Sequence, residues 1–313
     1  GHTCFATPKE AEAEGKEIIA IYQDVCENYL ALPSLIGRKS EKEKFAGAEY
    51  TVSMEFLMPN GKGIQGPDFH HDGQNFAKAF NITFTDAKGK EQHVWQNTFA
   101  ITTRMLGVLF AVHGDDKGLV LPPNIAPTQV VIVPILFDDS RKKVLEIAKD
   151  LADKLPNSYL DARDYYSPGW KFNQWEMKGV PIRVEIGPRD LEKKQVTLVR
   201  RDTGEKKAVP IQSVQERVLG LLEDIQQNLL KKAKKYLKDS IIKVSTLAEA
   251  GKALKDNKII FAKWCGSGSC EEVFKEKTTA KSLNSPFTQP PVSGNCFACK
   301  KKAKSWFYLG KSY

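Results

Sequence analysis

Two hydrophobic periods alternate along the chain. From Pro8 to Ala31 apolar residues recur at helical spacing (Ile18, Ile21, Tyr22, Val25, Tyr29) behind an acidic opening, which predicts a packing helix that stops at Leu32-Pro33. The period then drops to two. Val52, Met54, Phe56 and Met58 alternate with Thr51, Ser53 and Glu55, which reads as a strand with one buried face, and Asn60-Gly61 turns it into a partner. Gly63 to Phe76, GIQGPDFHHDGQNF, sets two histidines, an aspartate pair and two glutamines among glycines, so a loop is expected there. Thr83 to Gln96 reads as a hairpin around Asp86-Ala87-Lys88-Gly89. Trp95 to Ile101 is a β-branched and aromatic strand that runs without a turn signal into a helix carrying Met105, Leu106, Leu109 and Phe110. His113 to Pro127 supplies a glycine turn, a short apolar strand and a Pro-Pro step that forces an extended exit.

Beyond Pro127 the pattern becomes strand, helix, strand, hairpin, helix, which is α/β. TQVVIVPI and GVPIRVEIG are short buried strands. SRKKVLEIAKDLADKL is an amphipathic helix with Ser140 as N-cap, Asp202-Thr203-Gly204 turns a hairpin, and Ser213 with Glu216 opens a long helix through a capping box. A chain of 313 residues has room for two or three such domains. No apolar run approaches a membrane span and no signal-peptide pattern opens the chain, so a soluble, cytoplasmic protein without a membrane partner is expected. The net charge of +9 is unevenly placed: after residue 228, 18 Lys stand against 6 acidic residues. That suits a polyanion, although lysine-rich helices are often only solubilising.

Three groups of residues carry candidate chemistry. Arg104 stands where the strand becomes a helix, a place suited to a phosphate or a purine ring, or simply to a solvated charge. His70, His71 and Asp72 invite a metal reading, but neighbours in sequence do not converge on one ion. Cys265-x4-Cys270 and Cys296-x2-Cys299 are two close pairs that suit a closed tetrahedral Zn²⁺ site of structural type, with disulfides as the alternative. Cys4 and Cys26 read as small buried apolar residues.

The stretch Trp95 to Pro127 resembles motif 3 of class II aminoacyl-tRNA synthetases, and its words HGDDKGLVLPP resemble the prolyl-tRNA synthetases in particular. GHT with Phe-Ala-Thr looks like the segment just after motif 2 of that family. EKFAG, IQG and HH-x-GQNF look like its active-site loops, and SPGWKFNQWEMKGVPIRVEIGPRDL is similar to its anticodon-binding domain. KAKSWFYLGKSY resembles the C-terminal domain of the archaeal and eukaryotic type, whose tail folds back towards the active site.

The resemblance implies an α/β and α+β multidomain protein. Residues 1–127 would be the C-terminal part of a class II antiparallel-sheet catalytic domain, 128–228 an α/β anticodon-binding domain and 229–313 a small α/β zinc-binding domain. It implies ATP-dependent activation of L-proline to prolyl-adenylate and transfer to the 3′ end of tRNA(Pro). The alternative is a non-catalytic tRNA-binding fragment, or a paralogue that binds proline or ATP without reaction. Carried over residue by residue, Arg104 is the catalytic clamp, and Gln65, Thr102 and Arg104 hold ATP with Mg²⁺. His2, Phe45, His70 and Thr98 wall the proline site, Glu176, Arg183 and Lys206 meet the anticodon, and Cys265, Cys270, Cys296 and Cys299 bind structural Zn²⁺. Two departures alter the pattern: Asp68-Phe69 stand where Thr-Ser is usual, and Thr98-Phe99-Ala100 where Ser-Trp-Gly is common. The family's motif 1, Thr-x-Glu loop and motif 2 arginine would precede Gly1. A homodimer is therefore expected of the full-length protein, and this chain alone is expected to be a poor dimer and inactive.

Overall fold

The computed structural model describes residues 1–313. In chain order, β1 (His2–Phe5), α1 (Pro8–Asp24), β2 (Leu35–Arg38), β3 (Tyr50–Leu57), β4 (Gly63–Gly73), α2 (Asn75–Phe80), β5 (Thr83–Thr85), β6 (Glu91–His93), β7 (Trp95–Ala100) and α3 (Arg104–His113) come first. Then follow β8 (Val130–Pro134), α4 (Arg141–Lys154), β9 (Ser158–Leu160), α5 (Pro168–Met177), β10 (Ile182–Ile186), α6 (Pro188–Glu192), β11 (Gln195–Arg200), β12 (Lys206–Pro210) and the long α7 (Val214–Asp239). Last are β13 (Ile241–Val244), α8 (Leu247–Lys255), β14 (Ile259–Trp264), α9 (Gly268–Thr278), β15 (Lys281–Pro286) and β16 (Ser305–Gly310). They form two compact units, one of residues 1–26, 33–108 and 234–313, the other of residues 27–32 and 109–233. The expected mixed α/β, multidomain class is what is found. No helix is long and apolar enough to cross a membrane.

The first unit is built on a nine-stranded sheet in the order β1-β7-β4-β3-β2-β15-β16-β14-β13. All its pairings are antiparallel except β13 with β14. α1 starts where Thr7 Oγ1 accepts from the Glu10 N–H and the Glu10 carboxylate accepts in return from the Thr7 N–H, with Pro8 in the first turn. The helix lies on one face of β4 and β7. Gly15 passes so close to Phe69 that a Cβ would come within 2.7 Å of the ring, and Asn97 Nδ2 donates to Ala11 O at 2.8 Å. After Asp24 the helix widens into a π-turn, Val25–Tyr29, instead of running regularly to Ala31.

The stretch expected to be a loop, Gly63 to Phe76, is mostly strand β4, in the interior of the sheet between β3 and β7. Its glycines and polar residues hide a period of two: Phe69 and His71 face α1, while Asp68 and His70 face the other way. Cys26 is buried as expected, but Cys4 is exposed, because β1 is the outermost strand.

The second unit holds a five-stranded sheet, β12-β11-β10-β8-β9, with β8, β9 and β10 parallel and β10, β11 and β12 antiparallel. Both faces are covered, which is why β8 reads as an unbroken apolar run, while β10 alternates Ile182, Val184 and Ile186 with Arg183 and Glu185. Val130, Ile132, Ile182, Val184 and Ile186 pack with Val144 and Ala148 of α4 and Val218 and Ile225 of α7, whereas Val131 and Val133 pack with Trp175 of α5. Three local expectations differ. Ser140 stands at the N-cap of α4, but its hydroxyl donates back to Phe137 O, and Ser213 closes a 3₁₀ turn with its hydroxyl on Pro210 O, so neither expected cap forms. Leu119 to Leu121 is no ladder strand, since its N–H groups at 119 and 121 reach Met177 O and Gly179 O behind α5.

The turn after α3 is fastened by an ion pair. Arg201, 4% exposed at its side chain, makes two hydrogen bonds to the Asp115 carboxylate, at 2.8 and 2.6 Å. Those bonds hold the Asp115 carboxyl at about 2, below the ordinary 3.8. A depressed folded value stabilises above the unfolded one and is lost as the carboxylate protonates. Asp115→Asn is therefore expected to cost about 1 kcal/mol at neutral pH, a figure reduced for the half-exposed carboxylate. In urea titrations at several pH values the gap from wild type should close between about pH 4 and pH 2; a gap that persists at pH 2 contradicts the assignment.

Candidate functional site

The face of the first sheet turned away from α1 carries a row of polar residues set by strand register. His2 of β1 stands opposite Thr98 of β7, Thr98 opposite His70 of β4, and His70 opposite Thr51 of β3. Their side chains are linked: Thr98 Oγ1 lies 3.3 Å from His2 Nδ1, and Thr51 Oγ1 lies 2.9 Å from His70 Nδ1. Phe45 joins the row from the loop before β3, its ring 5.0 Å from that of His70, held by its own N–H on Thr51 Oγ1. Four residues expected in one pocket, His2, Phe45, His70 and Thr98, are thus brought together. A residue not singled out for this role, Asp72, sits beneath them. Its Oδ2 accepts from Thr98 Oγ1 at 2.7 Å, and burial pushes its carboxyl up against the opposing pull of that bond and of His70, His71 and His2.

Asp68 connects this row to a second group. Its Oδ2 accepts from Gln65 Nε2 at 2.7 Å and lies 3.4 Å from His70 Nε2. The acid that departs from the family pattern therefore has a hydrogen-bond donor in the Gln65 amide, the usual condition for keeping a partly buried carboxylate. Arg104 begins α3 and sends one N–H to Gln65 O at 2.9 Å, while Thr102 Oγ1 accepts from the Arg104 N–H at 3.3 Å and fixes the start of the helix. Gln65 and Arg104 line a cavity of about 440 Å³ together with Lys39, Glu55, Ser282 and Tyr313. Lys39 and Glu55 form a buried ion pair at 3.1 Å, and Ser53 Oγ also donates to Glu55. A wall of mixed charge with one exposed arginine at its rim can hold a phosphorylated ligand.

In the second unit Glu176 ends α5, and Arg183 lies on β10; both line a narrow crevice beside Trp175 and Arg201. The Arg183 guanidinium lies over the Phe172 ring at 4.4 Å and donates to Glu185 Oε1 at 3.0 Å. Lys206 of β12 approaches the same oxygen at 3.6 Å. Glu185 is thus the common anchor of both cations, and it is buried. Glu176 is not in that cluster; its carboxylate pairs with Lys117 at 3.1 Å.

The four C-terminal cysteines converge. Cys265 follows β14, Cys270 lies in the first turn of α9, and Cys296 and Cys299 come from the turn before β16, with all four sulfurs within 4.8 Å of one another. The pairs Cys270–Cys296 and Cys265–Cys299 are 3.7 and 3.5 Å apart, far longer than a disulfide and close to the roughly 3.8 Å edge of a tetrahedron with 2.3 Å metal–sulfur bonds. Burial pushes the Cys270 thiol up. Burial also raises Cys299, but the Lys301 N–H and hydrogen bonds from the other thiols bring it down to about 7. The donor set can hold a metal ion.

Residues 129–221 match the family model described as an anticodon binding domain, and residues 247–313 match the model described as prolyl-tRNA synthetase, C-terminal. The chain is 47% identical over its full length to the cytoplasmic proline--tRNA ligase of Arabidopsis thaliana, covering 62% of that protein. It is 45% identical to the proline--tRNA ligase of Oceanobacillus iheyensis and 47% identical to that of Alkaliphilus oremlandii, covering all of itself and 66% of each. The chain thus spans a little under two thirds of the length of these relatives.

The sulfur geometry carries its own test. The purified protein is expected to hold one metal ion per chain by atomic absorption, and Cys296→Ser, which removes a fully buried ligand, is expected to lose it. Full metal content in that variant would refute a four-sulfur site.

Proposed function

The chain belongs to the prolyl-tRNA synthetase family, and on that premise we propose that it serves proline--tRNA ligation: activation of L-proline by ATP and transfer of the prolyl group to tRNA(Pro). The observation that carries this reading is the linked pair of sites on one sheet, the row His2, Thr98, His70 with Phe45, joined through Asp68 to the Arg104 cavity. An amino acid held by the row and a nucleotide held at Arg104 would meet across Asp68 and Gln65. In the first step the proline carboxylate attacks the α-phosphorus in line and pyrophosphate leaves, a reaction that needs alignment and charge stabilisation more than a side-chain base.

Arg104 stabilises the charge on the phosphoryl oxygens, and the backbone of Gln65 holds its guanidinium in place. Gln65 and Thr102 hold the nucleotide, and His2, Phe45, His70 and Thr98 enclose the pyrrolidine. Mg²⁺ bound with ATP would neutralise phosphate charge. Residues 1–127 belong on this reading to the catalytic domain, 128–228 to the anticodon-binding domain and 229–313 to a zinc-binding domain, in which Cys265, Cys270, Cys296 and Cys299 hold structural Zn²⁺. Arg183, Lys206 and Glu176 are the proposed anticodon contacts: a planar guanidinium matches guanine O6 and N7, a carboxylate accepts from a base N–H, and lysine neutralises phosphate. A cytoplasmic homodimer is the proposed working form.

The natural protein that contains this chain is expected to catalyse proline-dependent exchange of pyrophosphate into ATP. Arg104→Ala should lower the rate by about 10²–10³-fold. Arg183→Ala should leave exchange intact but lower kcat/KM for tRNA by about 10–100-fold. tRNA binding with no proline-dependent exchange in the wild-type protein would overturn the ligase reading and leave a tRNA-binding protein.

A further inference from the structure

Asp72 is the one buried acid beside the amino-acid row that the proposed reaction leaves unused. It is 2% exposed, its Oδ1 meets no hydrogen-bond partner, and its Oδ2 takes the Thr98 hydroxyl at 2.7 Å. Strand alternation sets Asp72 on the face that carries His70 and Thr98. A bulge adds to this. His71 pairs with Asn97, but Gly73 already pairs with Gln96, so Asp72 is the extra residue of β4. A bulge beside a site re-aims a side chain. Gly73 makes it possible with φ +60°, a left-handed conformation that favours glycine.

The chain of groups has a fixed polarity. An ionised carboxylate can only accept, so the single proton of the Thr98 hydroxyl goes to Asp72. Thr98 Oγ1 is then left with lone pairs for the group on its other side, His2 Nδ1 at 3.3 Å. That nitrogen must carry a hydrogen, which leaves Nε2 of the neutral ring as the acceptor. We propose that Asp72 is a positioning residue of the amino-acid site: through Thr98 it fixes His2 as the Nδ1–H tautomer, so that Nε2 accepts a hydrogen bond from the secondary ammonium of the substrate.

The tautomer belongs to the protein itself, whereas the ammonium contact rests on the ligase reading; the test separates the two. In the protein labelled with 15N-histidine, the neutral His2 ring is expected to show the Nδ1–H pattern. Thr98→Val, which keeps shape but removes the hydroxyl, should turn it to Nε2–H, and Thr98→Ser should restore Nδ1–H. Asp72→Leu leaves the Thr98 hydroxyl without its acceptor and should abolish the single Nδ1–H state. Unchanged signals from His93 and His113 report that each variant is folded. If proline-dependent exchange is present, Thr98→Val should raise KM for proline about tenfold or more with a smaller change in kcat, as for loss of a hydrogen bond to a charged group. An Nε2–H ring in the wild type, which a protonated Asp72 would produce, overturns the proposal. So does an Nδ1–H ring that survives both Thr98→Val and Asp72→Leu. The predicted tautomers without exchange activity would instead count against ligation while leaving Asp72 its positioning role.

Discussion

The registration of β4 between β3 and β7 is the constraint on which the site depends. Side chains alternate along a strand, so a slip of one residue would exchange Asp68 and His70 for Phe69 and His71. Such a slip would place an aromatic ring and a hydrogen-bonded histidine in the polar pocket and two polar groups under α1. The α1 side prevents it. Phe69 fills the space left by Gly15, and His71 Nδ1 shares a hydrogen bond of 2.8 Å with Asn97 Oδ1, whose amide also holds Ala11 O. Packing on one face therefore sets chemistry on the other.

Much of the fold was legible from pattern. The helix opened by Pro8, the strands at Val52, Trp95, Val130 and Ile182, both hairpins and the long helix before residue 239 all follow from period and turn residues. β4 was not, because its polar residues hydrogen-bond to one another on one side and to a buried network on the other, so neither face reads as apolar. The helix caps were misread for a local reason: Ser140 and Ser213 each have a carbonyl three residues back within reach, and the hydroxyl donates there rather than accepting from the helix. Among the site residues, Cys265, Cys270, Cys296 and Cys299 were readable from spacing alone. His2, Thr98 and His70 are joined by register, which no local pattern states. Asp72 and Glu185 were missed as contributors because each acts through another side chain rather than through a motif.

The cysteine cluster and the Arg104 cavity are joined by one sheet. From the cysteines, β14 pairs with β16, β16 with β15, β15 with β2, and β2 with β3, the strand beside β4. The β15–β2 junction tolerates nothing larger than glycine at position 37, where a Cβ would fall 2.1 Å from Ser285 O. Asn284 seals it by donating to Leu35 O and Ser53 O. Beside it, Ser282 and Ser40 both donate towards the buried Glu271 of α9, the helix that also carries Cys270. These buried polar bonds stabilise only while both partners stay in place, since a lone buried carboxylate or amide costs more than the bond returns. A loosened cysteine cluster would free α9, and with it Glu271, from the strand that supplies Ser282 to the cavity wall. A metal ion bound by the four cysteines would leave no coordination position open and would therefore act on the Arg104 cavity at a distance, by keeping β15 in register beside β2.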